Sequence, residues 1–295
     1  MNRIQAFIKK AGATALAFFF CTLSLSAQED LLSLLDSAEG PASGVPVSAS
    51  FKSTRIINCQ SLEITDAGTM DIKIQHRFGT FNSGAYNFWG LDAATIRIGA
   101  EVGTGHGTMI GFGRSSVGKT IDAYAKWKFM AQTTDNKKPF SALLFVSAAR
   151  RGDQFPGLTI SPQERISYVG QIILGRKFSD AFSLQIMPTW VQHGRSFEGG
   201  ATTLTGLGVG FRQKITPRTS LNAEYVYFPA SQLAPGNSNP LSIGLDIETG
   251  GHVFQIHITN SLGMTDKSFL TETSGNMFRG DIRPGFNITR VFNIY

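Results

Sequence analysis

The stretch "GRSSVGKT", Gly113 to Thr120, is the part of this sequence that looks most ready to do chemistry. A Gly, four arbitrary residues and then Gly-Lys-Thr is the spelling of a nucleotide-binding loop. In that loop backbone N–H groups cradle phosphates, the Lys reaches the terminal phosphates and the hydroxyl holds Mg²⁺. Such chemistry needs a buried strand before the loop and a helix opening at Lys119-Thr120. A second glycine-rich stretch, "GTGHG" at 103–107, spells half of a dinucleotide fingerprint but lacks the remaining glycine spacing. The five histidines are His76, His106, His193, His252 and His257. His252 and His257 stand five apart and so point to opposite faces of a strand, which argues against a shared metal. No serine sits in a nucleophile motif, and the "NIT" at Asn287 falls within a strand pattern.

The flanks decide the loop's meaning. After Lys119 the apolar residues recur at every second position: Ile121, Ala123, Ala125, Trp127 and Phe129 alternate with Asp122, Tyr124, Lys126 and Lys128. That period is a strand's, not a helix's. "GRSSVGKT" therefore reads as a β-hairpin tip, and "GTGHG" as a turn. Neither implies a nucleotide, and no cofactor, metal or catalytic residue is expected.

The same period runs along most of the chain. Met70, Ile72 and Ile74 alternate with Asp71, Lys73, Gln75 and Arg77; Ile96, Ile98, Ala100 and Val102 oppose Arg97 and Glu101. Twelve such segments occur, most of them long for the strands of a soluble sandwich and suited to a tilted membrane crossing of ~9–11 residues. Aromatics fall near their ends (Phe78, Phe129, Phe140, Trp190, Phe211, Tyr227, Phe228, Phe292), as in interfacial girdles. Gly206, Gly208 and Gly210 suit the bends of a closed barrel. The connections alternate between long and tight over seven consecutive loops, counted back from the C-terminus. The alternation weakens at "AQTTDNKKP", long for a tight turn, and at "SSVGK", short for an external loop.

The first residues read as a secretory signal. Arg3, Lys9 and Lys10 precede the apolar "AGATALAFFFCTLSL", and "SLSA" offers a cleavage site before Gln28. The whole chain carries +6; removing those three positives leaves +3, too mild a charge for a nucleic-acid partner. Cys59 is then the one cysteine left, so no internal disulfide forms. The expected organisation is a signal peptide over residues 1–27, a leader over 28–68 that either hangs in the periplasm or plugs the barrel, and a barrel over 69–295. The fold class is all-β: an antiparallel transmembrane β-barrel of twelve strands, or fourteen if "STRIINCQSLEI" contributes to the wall.

Within such a barrel Lys73, Arg77, Arg97, Glu101, Asp122, Lys126, Lys128, Arg212, Lys214, Glu224 and Asp246 would face the lumen. They would either line a polar conduit or form salt-bridged filler. Arg290 breaks the pattern by sharing the apolar face with Phe286, Ile288, Phe292 and Ile294. A bulge or a place near a membrane interface would relieve that cost.

"IQHRFGTF", "WGLDAATIRIGAEVG", "IGFGRSSVGKTIDAYAKWKFM" and "GFNITRVF" resemble a family of exported Bacteroidota proteins, the domain-of-unknown-function family numbered 5777. The resemblance runs from about residue 50 to the end. It implies a barrel in the cell envelope and no particular activity, with Gly113–Ser116 and the Lys119-x-x-Asp122 pattern as shared barrel signatures. The combined expectation is a non-enzymatic barrel in the outer membrane of a Gram-negative bacterium, embedded in outer-membrane lipid and passing small solutes. The rival readings are a plugged barrel that serves an envelope protein partner or a structural role, and a barrel-embedded hydrolase.

Overall fold

The computed structural model describes residues 44–47 and 49–294; the signal segment and the short amphipathic turn expected within 28–40 lie outside the described residues. Twelve strands form the wall. They are β1 Thr69–Arg77, β2 Thr95–Gly105, β3 Thr108–Ser115, β4 Ile121–Met130, β5 Ser141–Arg150 and β6 Ile166–Lys177. β7 Phe182–His193, β8 Thr203–Thr216, β9 Thr219–Tyr227, β10 Leu241–Thr249, β11 His252–Thr259 and β12 Arg283–Asn293 complete it. Every strand pairs antiparallel with its sequence neighbours, and β1 closes on β12 from Thr69↔Asn293 to Arg77↔Gly285. Closure leaves no edge strand with unpaired backbone, the condition for crossing lipid as sheet.

Alternation sorts the side chains. Ile98, Ile110, Phe112, Trp127, Val146, Ile172, Leu207 and Ile256 project outward and exposed. Their neighbours in sequence, such as Arg97, Met109, Lys126, Phe145 and Gln255, are buried inside. One aromatic assigned to the girdle goes the other way: Phe228, just past β9, turns inward and is fully buried. The room for it comes from Gly206, where an added Cβ would lie 2.7 Å from the Phe228 ring. Gly208 and Gly210 likewise face inward, so this run provides clearance: Cβ atoms there would meet Met187 Cε at 2.8 Å and Ile56 Cδ1 at 2.2 Å.

The fourteen-strand alternative is not realised among the described residues. The segment around "STRIINCQSLEI" lies within the lumen as a small hairpin, with Arg55 bridged to Gln60, and the wall surrounds it. The two irregular connections have their causes here. The loop 131–140 is long because it receives the incoming chain: Val47 N–H donates to Gln132 O at 2.7 Å and Pro46 bridges Thr133. "GRSSVGKT" spans the end of β3, a 3₁₀ turn at Val117–Lys119 and the start of β4's approach. It stays short because the 151–165 connection folds over it, with Gly152 and Asp153 N–H groups donating to Gly118 O. No helix opens at Lys119, so the geometry on which phosphate cradling depends is missing.

Gly210→Val should push a side chain into Ile56 and cost about 1–3 kcal/mol through overpacking. The temperature at which the folded, fast-migrating gel band converts to the unfolded one should fall, and Ile56→Ala in the same chain should recover much of the loss.

Candidate functional site

Residues 50–65 enter the barrel from the tight-turn end and are met by the long 260–282 connection, whose residues 261–271 descend from the other end. The second segment carries a short helix, α1, Asp266–Thr271, with all six residues buried. The hairpin turns at Ile57-Asn58, closed by Ile56 N–H to Cys59 O at 2.8 Å and Ser61 N–H to Thr54 O at 2.9 Å. A turn this tight leaves three successive N–H groups pointing the same way and several carbonyls pointing outward, none able to pair within the hairpin. In a buried position each must find a partner.

The partners are inward-facing wall residues. The Glu224 carboxylate on β9 accepts the N–H groups of Ile57, Asn58 and Cys59 at 3.1, 2.8 and 2.9 Å. The Lys126 ammonium on β4 donates to the carbonyls of Thr54, Ser61 and Glu63 at 2.5, 3.1 and 3.1 Å. Gln255 donates to Ile56 O at 2.7 Å and Asn287 to Ile57 O at 3.1 Å. Gln185 on β7 behaves like a strand's own peptide: its amide nitrogen donates to Gln60 O at 2.7 Å and its oxygen accepts Leu62 N–H at 3.2 Å. Most of these contacts are to main chain, so the wall recognises the hairpin's path.

Other charges reach its side chains. Arg77 donates to Asn58 Oδ1 at 2.5 Å, and Thr54 Oγ1 donates to Glu101 Oε2 at 2.5 Å. Glu101 also faces Lys73 at 3.2 Å and accepts the Tyr124 hydroxyl at 2.6 Å. Asp246 accepts from Gln255 at 2.9 Å, orienting the amide that holds Ile56 O. Arg212 donates to Ala49 O at 3.3 Å. The Arg97–Asp122 ion pair joins wall to wall. Lys128 is half-buried at the tight-turn rim, 3.8 Å from Glu63, and Lys214 is also half-buried there. Arg77, Glu101, Lys126, Arg212 and Glu224 thus converge on a polypeptide segment inside the wall, while Arg97 and Asp122 pair with each other.

Sequence reasoning missed the other side of the interior. Leu143, Phe145, Val169, Ile173, Met187, Val191 and Val226 form an inward apolar wall on β5–β7 and β9, packed with Ile56, Leu62, Phe269 and Leu270. The signal was available: "FSALLFVSA" is apolar on both faces, as a strand covered on both sides must be. It also missed Asp266. The carboxylate of α1 takes both Arg55 nitrogens at 3.1 Å in a bidentate pair, and Gln60 Nε2 donates to it at 3.0 Å. Arg55 and Asp266 are 2% exposed, so the pair is desolvated at the point where the two lumen segments meet.

One contact revisits the hydrolase reading. Ser167 Oγ lies 3.1 Å from His193 Nδ1, while His193 Nε2 lies 3.1 Å from the Thr271 hydroxyl. The Thr271 hydroxyl donates to Lys267 O at 2.8 Å, so it accepts from the imidazole, which leaves Nδ1 to accept from Ser167. The imidazole links the wall to α1 and has no carboxylate orienting it in the manner of a triad. Among the described residues no group of three or more metal-ligating side chains converges.

Asp266→Ala should leave a buried, unpaired Arg55 and cost about 3–5 kcal/mol, read as a lowered urea midpoint. Cys59 reports the same event chemically. Burial, with the Glu224 charge beside it, holds its thiol well above the ordinary range, so a maleimide should label the native protein slowly and D266A much faster.

Comparison with solved structures finds distant similarities. A KdgM porin structure is 10% identical, aligned over 76% of this chain and 99% of the porin, with a TM-score of 0.46. A NanC porin structure is 7% identical over 75% of this chain and 98% of its own, also at 0.46. An outer membrane channel of Pseudomonas putida F1 is 11% identical over 78% and 97%, at 0.45. At these TM-scores the likenesses carry no argument about this chain, and no curated protein matches it at a significant level. Residues 51–292, the lumen hairpin included, match the family described as a membrane bound beta barrel domain (DUF5777), and the chain belongs to that family.

Proposed function

We propose that the protein is a barrel of the Gram-negative outer membrane, tight turns toward the periplasm, that is closed at rest and admits small solutes only when its lumen segments are displaced. The observation that carries this reading is the grip of Lys126 and Glu224 on the hairpin backbone, three carbonyls on one and three N–H groups on the other. An open pore would present those charges to water and would have no use for their convergence. Hydrogen bonds to charged groups are worth about 1.5–3 kcal/mol each, so losing even a few together makes spontaneous opening rare. The apolar inward wall supports the same reading, because a permanently wet lumen would leave Leu143, Phe145 and Ile173 against water.

In planar bilayers the intact protein should show no steady conductance. A chain lacking residues 46–66 should conduct steadily, and Arg55→Ala should open in bursts. Steady conductance from the intact protein would refute rest-state closure. A shortened chain that folds yet stays silent would refute solute passage and leave the barrel a structural or partner-binding element of the envelope.

A further inference from the structure

Arg290 is a charge on the outward, apolar face of β12, among Ile288 and Phe292. β12 pairs with β1 and β11 without a register shift, so no bulge turns the side chain. Asn287 and Thr289 are buried inside, while Arg290 projects outward and is exposed. Its level in the wall is fixed by its partner: it stands opposite His252, the first residue of β11 after the 250–251 turn. An arginine on the lipid face costs about 2–4 kcal/mol at mid-membrane and about 0–1 near an interface. Arg290 is therefore at the interface of the tight-turn side.

Three features nearby point to a ligand. The Arg290 guanidinium lies over the Phe292 ring, 4.9 Å from its centroid, and pairs with no carboxylate among the described residues. His252 shares its face and its ladder position, with its ring stacked at 6.1 Å on Phe254. Two nitrogen donors are thus opposed across neighbouring strands with no acidic side chain between them, an arrangement that favours an anion. From Phe254, the next outward residue of β11, an apolar groove of about 510 Å³ runs through the middle of the wall toward its long-loop end, lined by Phe78, Ile247, Phe254, Ile256, Pro284 and Phe286. The groove's nearest lining residue, Phe254, is the one on which the His252 ring stacks.

We propose that this face of β10–β12 holds one glycerophospholipid of the tight-turn-side leaflet, its phosphate on Arg290 and His252 and an acyl chain along the groove. The chemistry selects one occupant: the anion must sit at interface depth and carry an apolar chain that runs from it toward the middle of the wall. A free anion would leave the groove uncovered, and a neutral lipid would leave the donors unpaired. The proposal rests on the membrane placement of the barrel and is independent of whether the lumen opens.

The test is native mass spectrometry of the full-length protein in mild detergent, titrated with dioleoyl phosphatidylglycerol, dioleoylglycerol or inorganic phosphate. One phosphatidylglycerol should be retained, bound more tightly than either of the other two probes. Arg290→Gln should weaken it by at least about tenfold, the loss expected of a charge-assisted hydrogen bond. Ile256→Trp, which fills the groove, should weaken it without touching the charge, whereas Ile172→Trp on the outer face of β6, across the barrel, should leave it unchanged. Heat-dependent gel mobility checks that each variant is folded. Undiminished phosphatidylglycerol binding by folded R290Q, or equal retention of dioleoylglycerol, would overturn the proposal. So would inorganic phosphate binding as tightly as the lipid, which would mark an anion contact without a lipid site.

Discussion

The lumen of this barrel is organised around one desolvated ion pair, Arg55 with Asp266. Burying two charges is expensive, and their attraction repays the cost only when geometry and extra hydrogen bonds are good. Both conditions hold: the pair is bidentate, Gln60 adds a further donor to Asp266, and Arg55 also donates to Asn58 O at 2.7 Å. Its worth lies less in net stability than in specifying one arrangement. A hairpin from one end of the barrel and a helix from the other have a single way of meeting in which neither charge is stranded.

Around that point the interior divides by chemistry. β1, β2, β4 and β8–β12, with Gln185 of β7, contribute charges and amides that bond the incoming chain's backbone and side chains. β5–β7 contribute methyl and aromatic groups that cover Ile56, Leu62, Phe269 and Leu270. The division suits a hairpin whose edges carry polar backbone groups and whose faces carry Ile56 on one side and Asn58 on the other. Neither half would hold it alone: the apolar wall has no register, and the polar wall has little area to bury. Gly103 shows how closely the segment is fitted, since a Cβ there would lie 2.0 Å from the Asp66 carbonyl oxygen where the chain leaves the lumen for β1.

Much of this was legible in the sequence, and the reason is periodicity. A strand with one face in lipid must alternate, so β1, β2 and β4 announced themselves, and the inward direction of Lys73, Glu101, Lys126 and Glu224 followed from parity alone. What those charges touch did not follow. A lysine that faces water and one that faces three carbonyls occupy the same place in an alternating pattern. The hairpin itself was opaque for a related reason: "STRIINCQSLEI" is walled on every side, so its apolar residues, Ile56 and Ile57 side by side, follow no single period. Phe228 and Asp266 lie just outside strands or within loops, where no period exists to read. The glycines of β8 were visible, but only the neighbours reveal that they make room for Met187, Phe228 and Ile56.

The pairing of Arg55 with Asp266 spans 211 residues, and the β1–β12 seam joins the same two regions of the chain. Residue 55 lies shortly before the first strand and residue 266 shortly before the last. The hairpin can take its final partner only after nearly the whole chain has been delivered. Closing the cylinder and filling it are then one late event: loop-closure entropy is met once for both sets of contacts. A chain truncated before Asp266 would lose the β1–β12 seam and the partner of Arg55 together, and a fold assembled in this order has no stage at which the cylinder is complete and empty.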